Sequence, residues 1–230
     1  MAKRPIFVPL LDGKRLVLEH YVEFHWHAGF AKSQKQKSIR ELHDMALKKY
    51  GVKRPLEVSS KSEDDLGVAL SSFNLKFTTK RGRTLTVEAA FQGSKVFELG
   101  GPYTDIFSMG PMDAKRDQRL KNSGRLTKFS FFGDDWKLEP KTAFYDWLYI
   151  NALLKNPDLI PLVTDRDGFT DIEFNPEKSI NCQARSVALF CALFHSDKLE
   201  DALSSREEFC KLYSGRVSDP HHPREVRYLI

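Results

Sequence analysis

Residues 70–98, LSSFNLKFTTKRGRTLTVEAAFQGSKVFE, read as a turn, a short β-hairpin and then a helix. KFTTKRGRTLT (76–86) carries the hairpin, with Arg81-Gly82 at its tip. Thr86 is a good N-cap, so the pattern predicts a helix from Val87 to about Leu99, stopped by Gly100-Gly101-Pro102. An α-helix turns about 100° per residue, so positions seven apart return to within roughly 20° of each other. On that helix Glu88 and Lys95 share one face, with Gln92 between them. An acid, an amide and an amine in line make a candidate active-site wall.

Outward from this stretch, the pattern alternates helices and short strands. LVLEHYVEFHW (16–26) alternates apolar and polar positions as a half-buried strand does. Ser33 is the candidate cap of a basic helix from about Gln34 to Lys49, closed by Tyr50 and Gly51. LEVSS (56–60) and LTKFSFFG (126–133) are candidate strands, and AKRDQRL (114–120) a further helix. Thr142 to Asn156 repeats Phe144, Trp147, Leu148 and Leu154 at helical spacing before Pro157. FTDIEFNPEKSINCQARSVALFCALF passes from a loop into a buried helix, and SDPHHPREVRYLI (218–230) reads as a loop with a short extended end. The expected fold class is α+β, mostly helical, with a small antiparallel sheet. Residues 1–57 are expected to form a strand–helix module packed on a main domain spanning 58–230, the two making one globular unit.

Composition narrows the function classes. The 230 residues, 41% hydrophobic and 29% charged, are ordinary for a soluble globular protein. No apolar run approaches the roughly 20 residues needed to span a bilayer. In MAKRPIFVPLLDGKR, Asp12 and Lys14 interrupt the apolar patch too early for a signal-peptide core. Three cysteines, Cys182, Cys191 and Cys210, without CxxC spacing, point to a reduced cytosol rather than a disulfide framework or zinc site. The expected location is therefore cytoplasmic. Much of the net charge of +5 comes from 31–40 and 114–125, either solvated helix faces or a surface for phosphates.

No Walker loop, GxGxxG, HExxH or GxSxG occurs, which argues against ATPase, dehydrogenase, zinc-protease and α/β-hydrolase chemistry. His25 and His27 share a strand face but lack a third ligand, and His221 and His222 fall in the tail, so no metal is expected. Glu88, in the first turn of its helix, is either a partner of the helix dipole or a catalytic carboxylate. Lys95, flanked by Phe91, Val96 and Phe97, is either an ordinary surface lysine or a desolvated one with a nucleophilic neutral amine. Asp171, Glu173, Asn175 and Asn181 form a second polar cluster in a loop before an apolar helix.

LSSFNLKF followed by TVEAAFQGSK resembles the signature of the NADAR family, the YbiA-like proteins. AKRD (114–117), DDWKLEPKTAFYDWLYINALLKNPDLIPLV (134–163) and DIEFN with SINCQARSVAL resemble its later segments in the same order, over about residues 66 to 195. Ser72 stands where that family usually has Asn, Ala89 where it has His, and Phe174-Asn175 where it has Trp-Gly; Cys182-Gln183-Ala184 replaces part of its closing motif. The wording of FQGSKVFE and EPKTAFYDWLY is similar to NADAR antitoxins that partner DarT-type toxins, which ADP-ribosylate guanine in DNA.

The resemblance implies a NADAR-like fold and an ADP-ribosyl-guanine glycohydrolase that needs no cofactor, takes ADP-ribosylated DNA and releases ADP-ribose. It implies Lys95 as a Schiff-base nucleophile, Glu88 as proton shuttle and Asp171 as the residue that orients ribose or water. Ser71, Phe73, Gln92, Lys115, Arg116, Trp136 and Asn181 would bind substrate, with Phe73 or Trp136 on the adenine and Lys115 and Arg116 on the diphosphate. Direct oxocarbenium chemistry with Glu88 as general acid is the competing mechanism. Two other functions remain open: an N-glycosidase of phosphoribosylamino-pyrimidines in riboflavin synthesis, and a non-catalytic module that binds nucleotide, DNA or a toxin. A DNA surface at Lys35, Lys37 and Arg40 would separate the DNA enzyme from the metabolic one.

Overall fold

The computed structural model describes residues 1–11 and 15–213. The expected loop and extended end at 218–230, with His221 and His222, lie outside the described residues. The chain opens with β1 (Ala2–Pro9), β2 (Val17–Phe24), α1 (Lys32–Tyr50), β3 (Pro55–Glu57) and α2 (Asp65–Ala69). The hairpin β4 (Lys76–Thr78) and β5 (Thr84–Thr86) leads into α3 (Val87–Gly93) and β6 (Lys95–Phe97). Then come α4 (Pro111–Arg116), α5 (Arg119–Asn122), β7 (Leu126–Phe131), β8 (Asp134–Trp136), α6 (Ala143–Leu154) and α7 (Ile160–Thr164). β9 (Gly168–Thr170), α8 (Gln183–His195), α9 (Leu199–Leu203) and α10 (Arg206–Lys211) follow. The fold is α+β. Among the described residues no helix is long and apolar enough to cross a membrane.

The largest sheet has the order β2-β1-β9-β3. It is antiparallel except between β3 and β9, which run parallel, so the sheet is mixed rather than wholly antiparallel. Alternation along β1 sends Ile6 to one face, with Val22, Phe24 and the α1 residues Ile39, Leu42 and Ala46. Phe7 goes to the other, into the main core with Leu56, Phe169 and the apolar side of α8. The sheet is therefore covered on both sides. Pro5 and Pro9 hide β1 from a sequence reading, because proline donates nothing to a ladder. They are tolerated here because β1 meets β9 in register only at Phe7↔Phe169.

Three local expectations are corrected. The helix from Thr86 ends at Gly93, not near Leu99, and Lys95 opens a strand that pairs with β7 (Lys95↔Phe129). The Thr86 cap itself is present, its hydroxyl accepting from Ala89 N at 3.2 Å. Ser94 diverts the chain: its hydroxyl donates to Ala90 O at 2.7 Å, and its carbonyl accepts from Ser130 N at 2.7 Å. The second correction is that α1 begins at Lys32 with Ala31 as an uncapped N-cap, so Ser33 lies inside the first turn; its end at Gly51 (φ 71°) is as expected. Third, the basic 114–120 segment is not one helix, because Asp117 breaks it into α4 and α5.

Gly93 is required by close approach. A Cβ there would lie 2.5 Å from the Phe107 ring and 3.1 Å from the Tyr103 carbonyl. Gly93→Ala is expected to destabilise the protein by about 1–3 kcal/mol, read from urea unfolding, because the ring must move in a packed core. An unchanged midpoint would contradict the packing described here.

Candidate active site

The turn before β4 and the start of α3 face each other through Glu88 and Ser72. Glu88 N donates to Ser72 O at 2.9 Å, and Ser72 Oγ donates back to Glu88 Oε2 at 3.1 Å. Gln92, one helical turn on, donates from Nε2 to Glu88 Oε1 at 2.9 Å. Both carboxylate oxygens of this buried glutamate are thus oriented by side chains. Ser72 N in turn donates to Gln183 Oε1 at 2.7 Å, and Gln183 Nε2 donates to Val58 O at 2.5 Å. The glutamine at the start of α8 therefore ties the 71–75 turn to the segment after β3.

Lys95 reaches the same place from β6. Its Nζ lies 4.9 Å from the Phe91 ring centroid. Among the described residues it has no ion-pair partner. Burial pushes its amine down to about 8; the Glu88 charge opposes this and the Lys115 charge adds to it. Gln92 touches Glu88, and the Glu88 charge is felt at Lys95, which arrives on a strand and not by helical spacing.

Lys115 of α4 lies with its Nζ 5.2 Å from the half-buried Phe73 ring, and its charge is felt at Lys95. Arg116 follows it in α4 and is exposed. Asp171, just after β9, is buried, and its Oδ1 accepts from Glu173 N at 3.0 Å and Phe174 N at 3.2 Å. Burial pushes its carboxyl well above the usual range, and the neighbouring Glu57 charge pushes it further. Asn181 Oδ1 is buried and accepts no hydrogen bond among the described residues, an uncommon state for a buried acceptor.

Two residues of the sequence reading are placed elsewhere. Ser71 Oγ donates to Val68 O at 2.8 Å, inside the end of α2; the hydroxyl that meets Glu88 belongs to Ser72. Trp136 is a core residue, 3% exposed, with its ring 5.0 Å from Trp147 and 5.6 Å from Phe144. Its indole is enclosed by aromatic neighbours and offers no stacking surface in this structure. Glu57 lies outside every motif, and Gln183 falls where the closing segment departs from the family pattern, so neither is marked as a site residue. A polar residue at the head of an apolar helix was the only signal for Gln183.

His25 and His27 lie beyond the end of β2, with rings 4.7 Å apart, and His27 Nε2 is 3.7 Å from Glu41 Oε1. Among the described residues no group of three or more His, Cys, Asp or Glu is arranged to hold a metal ion. The basic face of α1 is partly neutralised by its own neighbours: Lys35 pairs with Glu173 at 3.3 Å and Arg40 with Glu63 at 2.8 Å.

The α+β fold thus sets a lysine with a lowered pKa near a glutamate whose two oxygens are both held by side chains. A family model described as DarT1-associated NADAR antitoxin matches residues 2–223, and the chain belongs to that family. The match reaches well past the 66–195 that the motifs cover and takes in β1, β2 and α1. No curated protein matches the chain. Membership gives the protein an antitoxin role, with a DarT-type toxin as its counterpart.

Proposed function

We propose that the protein is an ADP-ribosyl-guanine glycohydrolase that restores guanine bases in DNA and so undoes the toxin's modification. The feature that carries this reading is the half-buried Lys95 amine, set over the Phe91 ring and pushed down to about 8 by desolvation, near an oriented Glu88. In the substrate, C1″ of the terminal ribose is bonded to the exocyclic nitrogen of guanine. Opening of the sugar ring moves a proton to the ring oxygen and leaves C1″ double-bonded to that nitrogen. Neutral Lys95 Nζ adds to C1″, and Glu88 carries a proton from Nζ to the guanine nitrogen. Glu88 gives the guanine nitrogen a second proton, taken up from solvent, as the C1″–N(guanine) bond breaks; guanine leaves with its amine intact, and C1″ stays bound to Nζ as an iminium. Water adds to C1″, Glu88 takes its proton, and the C1″–Nζ bond breaks to give ADP-ribose.

In this reading Phe73 stacks on the adenine, and Lys115 and Arg116 hold the diphosphate, where a point charge and a planar fork both serve. Asn181 Oδ1 accepts from a ribose hydroxyl, and Gln92 and Ser72 keep Glu88 aimed. Residues 1–57 and 58–230 act as one unit; the pairing of β9 with both β1 and β3 supports this.

The test is a DNA oligonucleotide carrying ADP-ribosyl-guanine, followed by mass spectrometry with wild type and Glu88→Gln. Wild type should release ADP-ribose and intact guanine. The variant should retain binding and lose about 10²–10⁴-fold in kcat, the usual contribution of a positioned proton-transfer group. No release by wild type would overturn the reading.

A further inference from the structure

Glu57 ends β3 and is buried at 2% exposure, although no motif contains it. Its Oε2 accepts from Thr170 Oγ1 at 2.7 Å and its Oε1 from Ile172 N at 2.8 Å, so it grips both neighbours of Asp171. Behind Thr170, His43 Nε2 from α1 lies 2.8 Å from the same hydroxyl oxygen. Burial lowers His43 to about 4, so above that pH the ring is neutral with one N–H. The Thr170 hydroxyl has given its only proton to Glu57, so His43 must donate to it from Nε2. The chain of donors runs one way, from His43 through Thr170 to the Glu57 carboxylate.

We infer that Glu57 is a positioning residue for this site: through Thr170 Oγ1 and Ile172 N it holds the chain on both sides of Asp171, fixes the direction of the Asp171 carboxyl and sets a second carboxyl beside it. The inference rests on the glycohydrolase reading only for what Asp171 then does, which is to donate a proton or hydrogen bond to a ribose or ring oxygen. Asp171 Oδ1 is occupied as an acceptor by two backbone N–H groups, and the Gln183 side chain hydrogen-bonds the same carboxyl. Two buried like charges side by side are unfavourable, so one of the two carboxyls stays neutral. Burial raises both. The Glu173 charge pushes both up, and each is pulled back by hydrogen bonds, Glu57 by Ser59, Ile172 and Thr170 and Asp171 by Glu173 N and Gln183; the Glu57 charge pushes Asp171 further up.

The other titratable groups around the pair do not reverse this split. Glu173 is paired with Lys35 of α1, and Tyr145, Tyr149 and Cys182 are pushed up by burial and stay neutral. Asp44 and Glu63 act on His43, with Glu63 paired to Arg40. The relay thus joins α1, β3 and β9 at the back of the Asp171 loop.

Glu57→Gln removes the charge and keeps the shape. In protein labelled with ¹³C at aspartate carboxyls, and with Asp171→Asn to assign the signal, wild-type Asp171 should titrate well above an ordinary aspartate. In Glu57→Gln the midpoint should drop by about one pH unit or more, the effect of removing an adjacent like charge. Glu57→Asp, which keeps the charge, should hold the midpoint high. On the modified oligonucleotide, Glu57→Gln should lose roughly 10²-fold in kcat with little change in KM, as expected for a misplaced or wrongly protonated group. An unmoved Asp171 titration would overturn the inference. A moved titration in a protein whose wild type releases no ADP-ribose would uphold the Glu57–Asp171 pairing and overturn the glycohydrolase reading instead. If Glu57→Gln is unfolded by circular dichroism, Thr170→Val breaks the same relay from the other side, and an unmoved Asp171 titration there would also count against the inference.

Discussion

Lys95→Ala is expected to abolish ADP-ribose release from a DNA oligonucleotide carrying ADP-ribosyl-guanine, with kcat falling by more than about 10³-fold, because nucleophile loss leaves only binding and proton transfer. Lys95→Arg should not rescue it, since a guanidinium stays protonated and cannot attack C1″. Borohydride added during turnover should reduce the iminium and leave wild type heavier by the sugar adduct, with no such mass in Lys95→Ala. Turnover that survives in Lys95→Ala would shift the chemistry to direct oxocarbenium departure with Glu88 as general acid. The pH dependence follows from the same amine. Burial holds it near 8, so kcat should rise as pH passes 8, where an ordinary surface lysine would need more than two further units. Stability has the matching sign. The folded amine titrates near 8 against 10.5 for the reference group, so between those values the unfolded chain binds the extra proton. This group's contribution to stability therefore increases with pH across that window.

What could be read in the sequence was what local chemistry decides. Thr86 caps its helix with its own hydroxyl, Gly51 ends α1 in a left-handed conformation, and Gln92 meets Glu88 four residues away. Each depends on neighbours a few positions apart. Lys95 shows where that stops. The helical register holds on paper through Lys95, but the Ser94 carbonyl is claimed by Ser130 and residues 95–97 by β7, partners 29 to 36 positions away. The lysine still feels the Glu88 charge, because a strand leaving the C-terminus of a two-turn helix stays close to it. The rest of the site comes from distant chain. Gln183 meets Ser72 across 111 residues and Glu57 meets Thr170 across 113, and neither partner carries a spacing that single-sequence periodicity could detect. β9 is three residues long, and its parallel pairing with β3 leaves no alternation to read. Trp136 shows the reverse error: a motif position expected at the ligand is held in the core by Trp147 and Phe144.

Asp146→Ala should be the most destabilising single change outside the candidate site. Asp146 is 1% exposed on α6, and Arg185 of α8 reaches its Oδ2 from Nη1 at 2.6 Å. Ser186 Oγ donates to Oδ1 at 2.5 Å, and Tyr213, just past α10, donates its hydroxyl to Oδ2 at 2.6 Å. Removing the carboxylate leaves a largely buried guanidinium and two hydroxyls without their acceptor. Breaking a buried pair from one side costs about 3–5 kcal/mol, because the remaining charge is desolvated and uncompensated. At this chain length that corresponds to a fall in Tm of roughly 6–20 °C. The double variant Asp146→Leu/Arg185→Met should recover much of the loss, since it removes both charges and fills the space with apolar atoms. Thermal and urea unfolding of the three proteins reads the comparison directly. A double variant as unstable as Asp146→Ala would mean that Arg185 is needed for its other contacts, the Thr142 hydroxyl at 3.1 Å among them, rather than for neutralising Asp146. Because α8 also begins with Gln183, a loosened α6–α8 contact should reach the site: Asp146→Ala, assayed well below its Tm, should lose activity through the Gln183–Ser72–Glu88 chain. Full activity at low temperature would separate the buried pair from the chemistry and assign it to holding the helices alone.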